Sequence, residues 1–162
     1  LHPDEGNWIR EDVDRQINFI REHKLAGEAH YRAKYLMDNT QGIYDELTEN
    51  FYAHPALQPA MPWLDNVPPS APSGLKVISG KDGYTSLTWQ AATDNDKMNA
   101  PRYVVYASDV YPVDTTRPEN IIAQGIRGTE YIYAPLQPWN RKVYFAVTAV
   151  DRYGNEGKAV QE

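Results

Sequence analysis

The spacing of apolar residues changes character near residue 67. Before it, "NWIREDVDRQINFIREHK" places Ile9, Val13, Ile17 and Ile20 on one stripe at helical period. Glu11 and Asp12 stand near the start of this stretch and Arg21 and Lys24 near its end, as the helix dipole favours. In "AGEAHYRAKYLMD", Gly27 ends the helix, and Glu28, His30, Arg32 and Lys34 alternate with Ala29, Tyr31, Ala33 and Tyr35. That alternation predicts a strand with one polar face. "NTQGIYDELTENFY" predicts a second amphipathic helix with Ile43, Leu47 and Phe51 in line and Asn39 or Thr40 as its N-cap.

One strand between two helices has no partner for its edges. The αβα unit is therefore expected to belong to a larger α/β fold whose earlier part precedes Leu1. Prolines at 55, 59, 62, 68, 69 and 72 mark a semi-rigid linker, which Trp63 and Leu64 could pin to a neighbouring surface. The domain boundary is expected near Asn66.

Beyond it, the runs "SGLKVIS", "YTSLTWQAA", "PRYVVYAS", "TEYIYA", "KVYFAVTAV" and "GKAVQE" alternate with period two between Gly, Asp, Asn and Pro. Leu75/Val77, Leu87/Trp89, Tyr103/Val105 and Val143/Phe145/Val147/Ala149 are the expected inward sets. Residues 67–162 are the right size for a seven-stranded immunoglobulin-like sandwich. The fold class is thus α+β, a helix-strand-helix unit followed by an all-β sandwich.

Charge narrows the function classes. The net charge is −6, all of it in residues 1–66, which hold 6 Lys/Arg and 12 Asp/Glu, while residues 67–162 hold 10 of each. Neither half has the basic surface that binds nucleic acid by neutralising phosphates. The 162 residues include no cysteine, which removes disulfides, thiolate catalysis and Cys-based zinc sites. No apolar run is long enough to span a membrane. No cofactor is expected, because Gly-rich phosphate loops and paired histidine ligands are missing.

Residues 67–162 resemble a fibronectin type III domain. The carrying features are the lead-in "PPSAPSGLKV", Trp89 within "SLTW", Tyr103 and Val105 in the third run, Leu136 and Pro138 before the sixth, and "VYFAVTAVD" running into "RYGNEG". That family usually closes a corner with a tyrosine at the start of the sixth strand. Here Val143 occupies the position, Tyr144 is one residue out of register, and "PWNRK" is slightly long, so a loop packed under Trp139 is expected instead.

Residues 1–66 are similar to the tail of a bacterial glycosyl-hydrolase-like TIM barrel of the family-10-like, Bacteroides-type group. A helix like "EDVDRQINFI", a strand like "GEAHYRAKYL", a helix like "GIYDELTENFY", the segment "ALQPAMPWLD" and a fibronectin-like domain occur there in this order. The resemblance implies that 8–24 is the seventh barrel helix, 27–36 the eighth strand and 41–52 the eighth helix. It also implies a secreted, periplasmic or cell-surface bacterial protein of carbohydrate metabolism. The rest of the barrel would be the natural partner, and the isolated chain would cover its apolar helix faces on the sandwich or by forming a homodimer.

Glycosidases need two carboxylates, roughly 5 Å apart in retaining enzymes, on the ends of different barrel strands. One strand cannot supply both, so no catalytic residue is expected in this chain. Asp38, just past the strand end, and Arg32 and Lys34, on its polar face, are the weak candidates for the catalytic face. Asp38–Asn39 reads first as a turn and helix cap, and His30, Arg32 and Lys34 first as lumen charges paired with carboxylates of other strands. Asp94, Asn95 and Asp96 cluster on a loop but lack the Ca²⁺-loop pattern. Trp139, Tyr111 and Tyr153 are candidate carbohydrate contacts, with Tyr131 and Tyr133 as further surface aromatics. The expected function is that of an accessory region, a spacer or buttress for a carbohydrate-cleaving barrel. The alternative is a polysaccharide- or protein-binding module.

Overall fold

A computed structural model describes residues 9–25, 27–80, 83–96, 98–135 and 142–162. The chain divides into two compact units, 1–53 and 54–162. The proline-rich segment 54–66 therefore belongs with the sandwich, which moves the boundary from the expected Asn66 to residue 53.

In the first unit, α1 (Arg10–Glu22), α2 (Ala33–Met37) and α3 (Ile43–Glu46) pack together, and a π-helical turn, Leu47–Phe51, continues α3. Val13 and Ile17 of α1 meet Ile43 and Leu47, with Leu36 and Phe51 at the margin. The guanidinium of Arg21 donates to the carbonyl of Phe51 (2.6 Å) and lies 5.1 Å from that ring's centre, tying the ends of α1 and α3 together. The N-cap of α3 is Gly42 rather than the expected Asn39 or Thr40, because a 3-10 turn, Thr40–Gly42, intervenes, but the Asn39 side chain still reaches the first turn of α3. Its Oδ1 accepts the N–H of Tyr44 (2.9 Å) and Asp45 (3.3 Å), and its backbone is left-handed at φ 46°.

The strand expected over 27–36 is not formed. Residues 28–30 lack regular structure and 33–37 are helical. Backbone donors and acceptors of a strand need a neighbouring strand, and the described residues of this unit contain none. A helical turn satisfies its own groups, as in the bond from Tyr35 N–H to the Arg32 carbonyl (3.0 Å).

The second unit is a sandwich of two antiparallel sheets. Its strands are β1 (Ser73–Ser79), β2 (Thr85–Gln90), β3 (Arg102–Ser108), β4 (Ile121–Ile126), β5 (Glu130–Tyr133), β6 (Tyr144–Val150) and β7 (Val160–Gln161). One sheet has the order β1-β2-β5 and the other β4-β3-β6-β7. This three-plus-four order makes it a fibronectin type III-like sandwich. Leu75, Leu87, Trp89, Tyr103, Val105, Phe145, Val147 and Ala149 fill the space between the sheets, with Val77 and Val143 at its edge. All the expected inward sets thus face the core. Trp89 and Tyr103 meet edge to face at 5.3 Å, and the Tyr103 hydroxyl accepts the N–H of Ala92 (3.0 Å).

The four-stranded sheet is covered on its other face as well. Val104, Tyr106 and Ala146 point away from the inter-sheet core and are buried with Val113, Ile121 and the marginal Leu57. The proline-rich segment is therefore not only a linker. The Met61 N–H donates to the carbonyl of Tyr153 (2.8 Å), Asn155 Nδ2 donates to the carbonyl of Asp65 (3.0 Å), and Ser70 N–H donates to the carbonyl of Thr93 (2.8 Å). It straps the sheet down.

Candidate functional site

The turn after β6 organises the polar side of this strap. The Asp151 carboxylate accepts the N–H of Tyr153 and of Asn155 through Oδ1 (2.8 Å each) and the Asn155 side-chain amide through Oδ2 (2.8 Å). The same amide reaches Asp65, so one buried carboxylate positions both the turn and the strap. Next to it, Glu156 forms an antiparallel bridge with Val150, which brings its carboxylate over the outer face of the sheet. Glu156 Oε1 accepts from the Tyr106 hydroxyl (2.6 Å) and from Thr148 Oγ1 (2.6 Å).

Burial first, and the hydrogen bond and charge of Glu156 second, push the Tyr106 phenol above its ordinary value of 10.0. A folded-state value above the unfolded one favours the folded state fully below pH 10, and the benefit is lost as the pH rises towards the folded value. Burial raises Tyr131 in the same direction. Thermal melts between about pH 9 and about pH 11 are expected to show the sandwich losing stability on the alkaline side. Tyr106→Phe should flatten that slope and leave the smaller Tyr131 part. An unchanged slope would mean that Tyr106 is not the group responsible.

The residues singled out in the sequence fall at separate places. Lys34 and Asp38 pair with each other one turn apart on α2, and the Arg32 guanidinium lies over the Tyr35 ring at 5.4 Å. Glu28 and His30 come within 3.7 Å, and His30 Nε2 is 3.4 Å from the Tyr52 hydroxyl. Asp96 accepts from the Asn99 amide (2.9 Å) and from the Met98 N–H (2.9 Å), with Arg152 at 3.8 Å. These contacts, the Asn99 bond foremost, hold its carboxyl below the usual range. They make the Asp94–Asp96 loop a self-satisfied turn. Among the described residues no group of three or more His, Asp or Glu side chains could hold a metal ion.

Tyr111 is half exposed and packs against Tyr144 at a ring distance of 5.3 Å, with Lys142 Nζ 4.6 Å from the Tyr144 ring. Tyr153 lies at the opposite end of β6 with Arg152 over its ring at 4.6 Å. At about 3.4 Å per residue, the length of β6 puts these aromatics roughly 20 Å apart, too far to share one sugar ring. Trp139, Leu136, Pro138 and the corner loop lie outside the described residues. Tyr144 does face away from the inter-sheet core while Val143 packs on it, as the register required. The Tyr144–Lys142 pair was missed as a neighbour of Tyr111. So was Glu156, which no local pattern links to Tyr106, fifty residues away.

The geometry defines a fibronectin type III-like domain with its own N-terminal strap, preceded by a small helical unit. No family model matches the chain. It is 34% identical over 153 residues to a glycosyl hydrolase, YngK of Bacillus subtilis (strain 168), a match that covers 92% of this chain and 29% of that protein. The chain is thus homologous to a segment of a glycosyl hydrolase and spans less than a third of its length. Among solved structures, an Fn3-like protein from Clostridium thermocellum is 27% identical, with a TM-score of 0.42, over 57% of this chain and 90% of that one. Domains A168–A170 of titin are 19% identical, with a TM-score of 0.42, over 58% of this chain and 31% of that one. The strand order, rather than these likenesses, defines the sandwich.

Proposed function

We propose that the chain is the C-terminal accessory region of a glycoside hydrolase-like protein, in which the sandwich buttresses a carbohydrate-cleaving barrel without being catalytic itself. The observation that carries this reading is the match to a glycosyl hydrolase across 92% of the chain, which takes in the helical unit and the sandwich together. The helical unit adds a physical reason. Its buried cluster is small, while Phe19, Leu25, Tyr44 and, at 85% exposure, Met37 remain open to solvent. Such a surface suits a unit completed by a larger body.

In the finer form of this proposal that body is a family-10-like barrel of the Bacteroides type, in a secreted or cell-surface protein. Residues 27–36 then become its last strand once neighbouring strands offer hydrogen-bond partners, and Arg32, Lys34 and Asp38 come to the barrel interior. Hydrogen exchange tests this. Amides of 27–32, which precede α2, should exchange freely in the isolated chain and become strongly protected when the preceding region of the parent protein is joined to it. Glycoside hydrolysis should occur only in the joined form. Hydrolysis by the isolated chain, or unchanged exchange on joining, would overturn the reading. The alternative, a polysaccharide- or protein-binding module, draws on the Tyr111–Tyr144 pair beside Lys142. It would be favoured if the isolated chain bound glycans saturably and Tyr111→Ala abolished the binding.

A further inference from the structure

We propose that the outer face of the β1-β2-β5 sheet is a self-association surface, and that its occupant is a second copy of this chain packed face to face about a twofold axis running along β2. The inference is independent of the accessory reading. It starts from strand register. Ile78 of β1 stands opposite Ser86 of β2, which stands opposite Ile132 of β5. One row along, Lys76 stands opposite Thr88, which stands opposite Glu130. Period two puts all six on the side away from Leu87 and the core, and all six are exposed. Ile78 and Ile132 are each 65% exposed, and with Gly80, Tyr84 and Ser86 they line a shallow hollow.

This face carries an apolar row and, beside it, a row with a cation on one edge and an anion on the other. In these two rows the middle strand offers only the small hydroxyl side chains Ser86 and Thr88, so a partner can approach closely there. A twofold axis along β2 exchanges the two edges and keeps the rows in place. It sets Lys76 of each copy against Glu130 of the other, and Ile78 against Ile132, while Ser86 and Thr88 meet their own counterparts. An isologous interface requires this self-complementarity. Aligned packing of sheets at about 30° preserves it, because the flanking strands lie only about 5 Å from the axis.

Size sets the strength. Three strands about 4.8 Å apart and about six residues long give a footprint of roughly 300 Å², well below the roughly 800 Å² per partner of a standard interface. The association is therefore weak and concentration-dependent.

Sedimentation equilibrium of the full 162-residue chain from about 10 μM to about 1 mM tests it. The average mass should climb from 18.5 kDa towards twice that value. Lys76→Glu and Glu130→Lys should each weaken association by about tenfold or more, because each places two like-charged pairs across the axis. Mixing the two single variants should restore association, since every pair is then opposite in charge, and so should the double reversal. All are exposed surface changes, and a thermal melt verifies that each variant folds. A mass of 18.5 kDa at every concentration would overturn the proposal. So would association that ignores both reversals, which would belong to another surface, such as the helical unit. A monomeric chain that binds glycan on this face and loses it in Ile132→Lys would overturn it too.

Discussion

Glu156→Ala is expected to destabilise the sandwich by about 2–3 kcal/mol, lowering its melting temperature by roughly 10 °C for a domain of this size. The Tyr106 ring and hydroxyl are wholly enclosed, Thr148 is 1% exposed, and both hydroxyls donate to the same carboxylate oxygen. Without that oxygen, one hydroxyl can turn to the other, but one donor stays buried without an acceptor. An orphaned buried donor costs about 1–3 kcal/mol, and bonds to a charged acceptor are stronger than neutral ones. Glu156→Gln keeps a carbonyl oxygen in place and should recover most of the loss. In a double-mutant cycle with Tyr106→Phe, the two changes should be strongly non-additive, because they remove the same bond. A Glu156→Ala variant within about 0.5 kcal/mol of the parent, the range of ordinary surface changes, would show that solvent already satisfies these hydroxyls.

The same residue shows what could be read from the sequence alone. β1 and β6 were legible because Leu75/Val77 and Phe145/Val147/Ala149 recur at period two, and that face meets a core whatever the rest of the chain does. The Val143/Tyr144 register followed from the same period of two. β4, "IIAQGI", was not picked out. Two adjacent isoleucines and Gly125, at φ 73°, break its alternation. In β3 the run "RYVVYA" is apolar at both parities, which is the mark of burial on both faces. Its outward half, Val104 and Tyr106, packs in the outer cluster with Val113 and Ile121. The helices around Val13, Ile17, Ile43 and Leu47 were legible from their period. The strand between them was not formed, because alternation specifies a strand only where a neighbour exists to pair with it. The candidate site was less legible than the fold. Glu156, Asn155 and Asp65 come together through long-range packing, and prolines that stiffen a linker look the same as prolines that stiffen a strap.

The strap has a point where one methyl group should release it. Gly154→Ala is expected to cost the sandwich about 2–4 kcal/mol, combining left-handed strain with overpacking. Gly154 has φ +83°, which other residues rarely adopt, and a Cβ there would stand 2.8 Å from the carbonyl oxygens of both Gln58 and Pro59. Those atoms are backbone, so no side-chain rotation relieves the clash. The turn itself has little room to move, because Asp151 holds the N–H groups on either side of Gly154, at Tyr153 and Asn155. The segment around Gln58–Ala60 must therefore lift, which strains the Met61–Tyr153 bond and uncovers the outer cluster at Leu57. Limited proteolysis should detect this as faster cleavage between residues 54 and 65, while the inter-sheet core around Leu87 and Val147 stays folded. Equal cleavage rates in the variant and the parent would mean that the strap adapts to the added methyl group, and that segment 54–66 behaves as the semi-rigid linker its prolines first suggested.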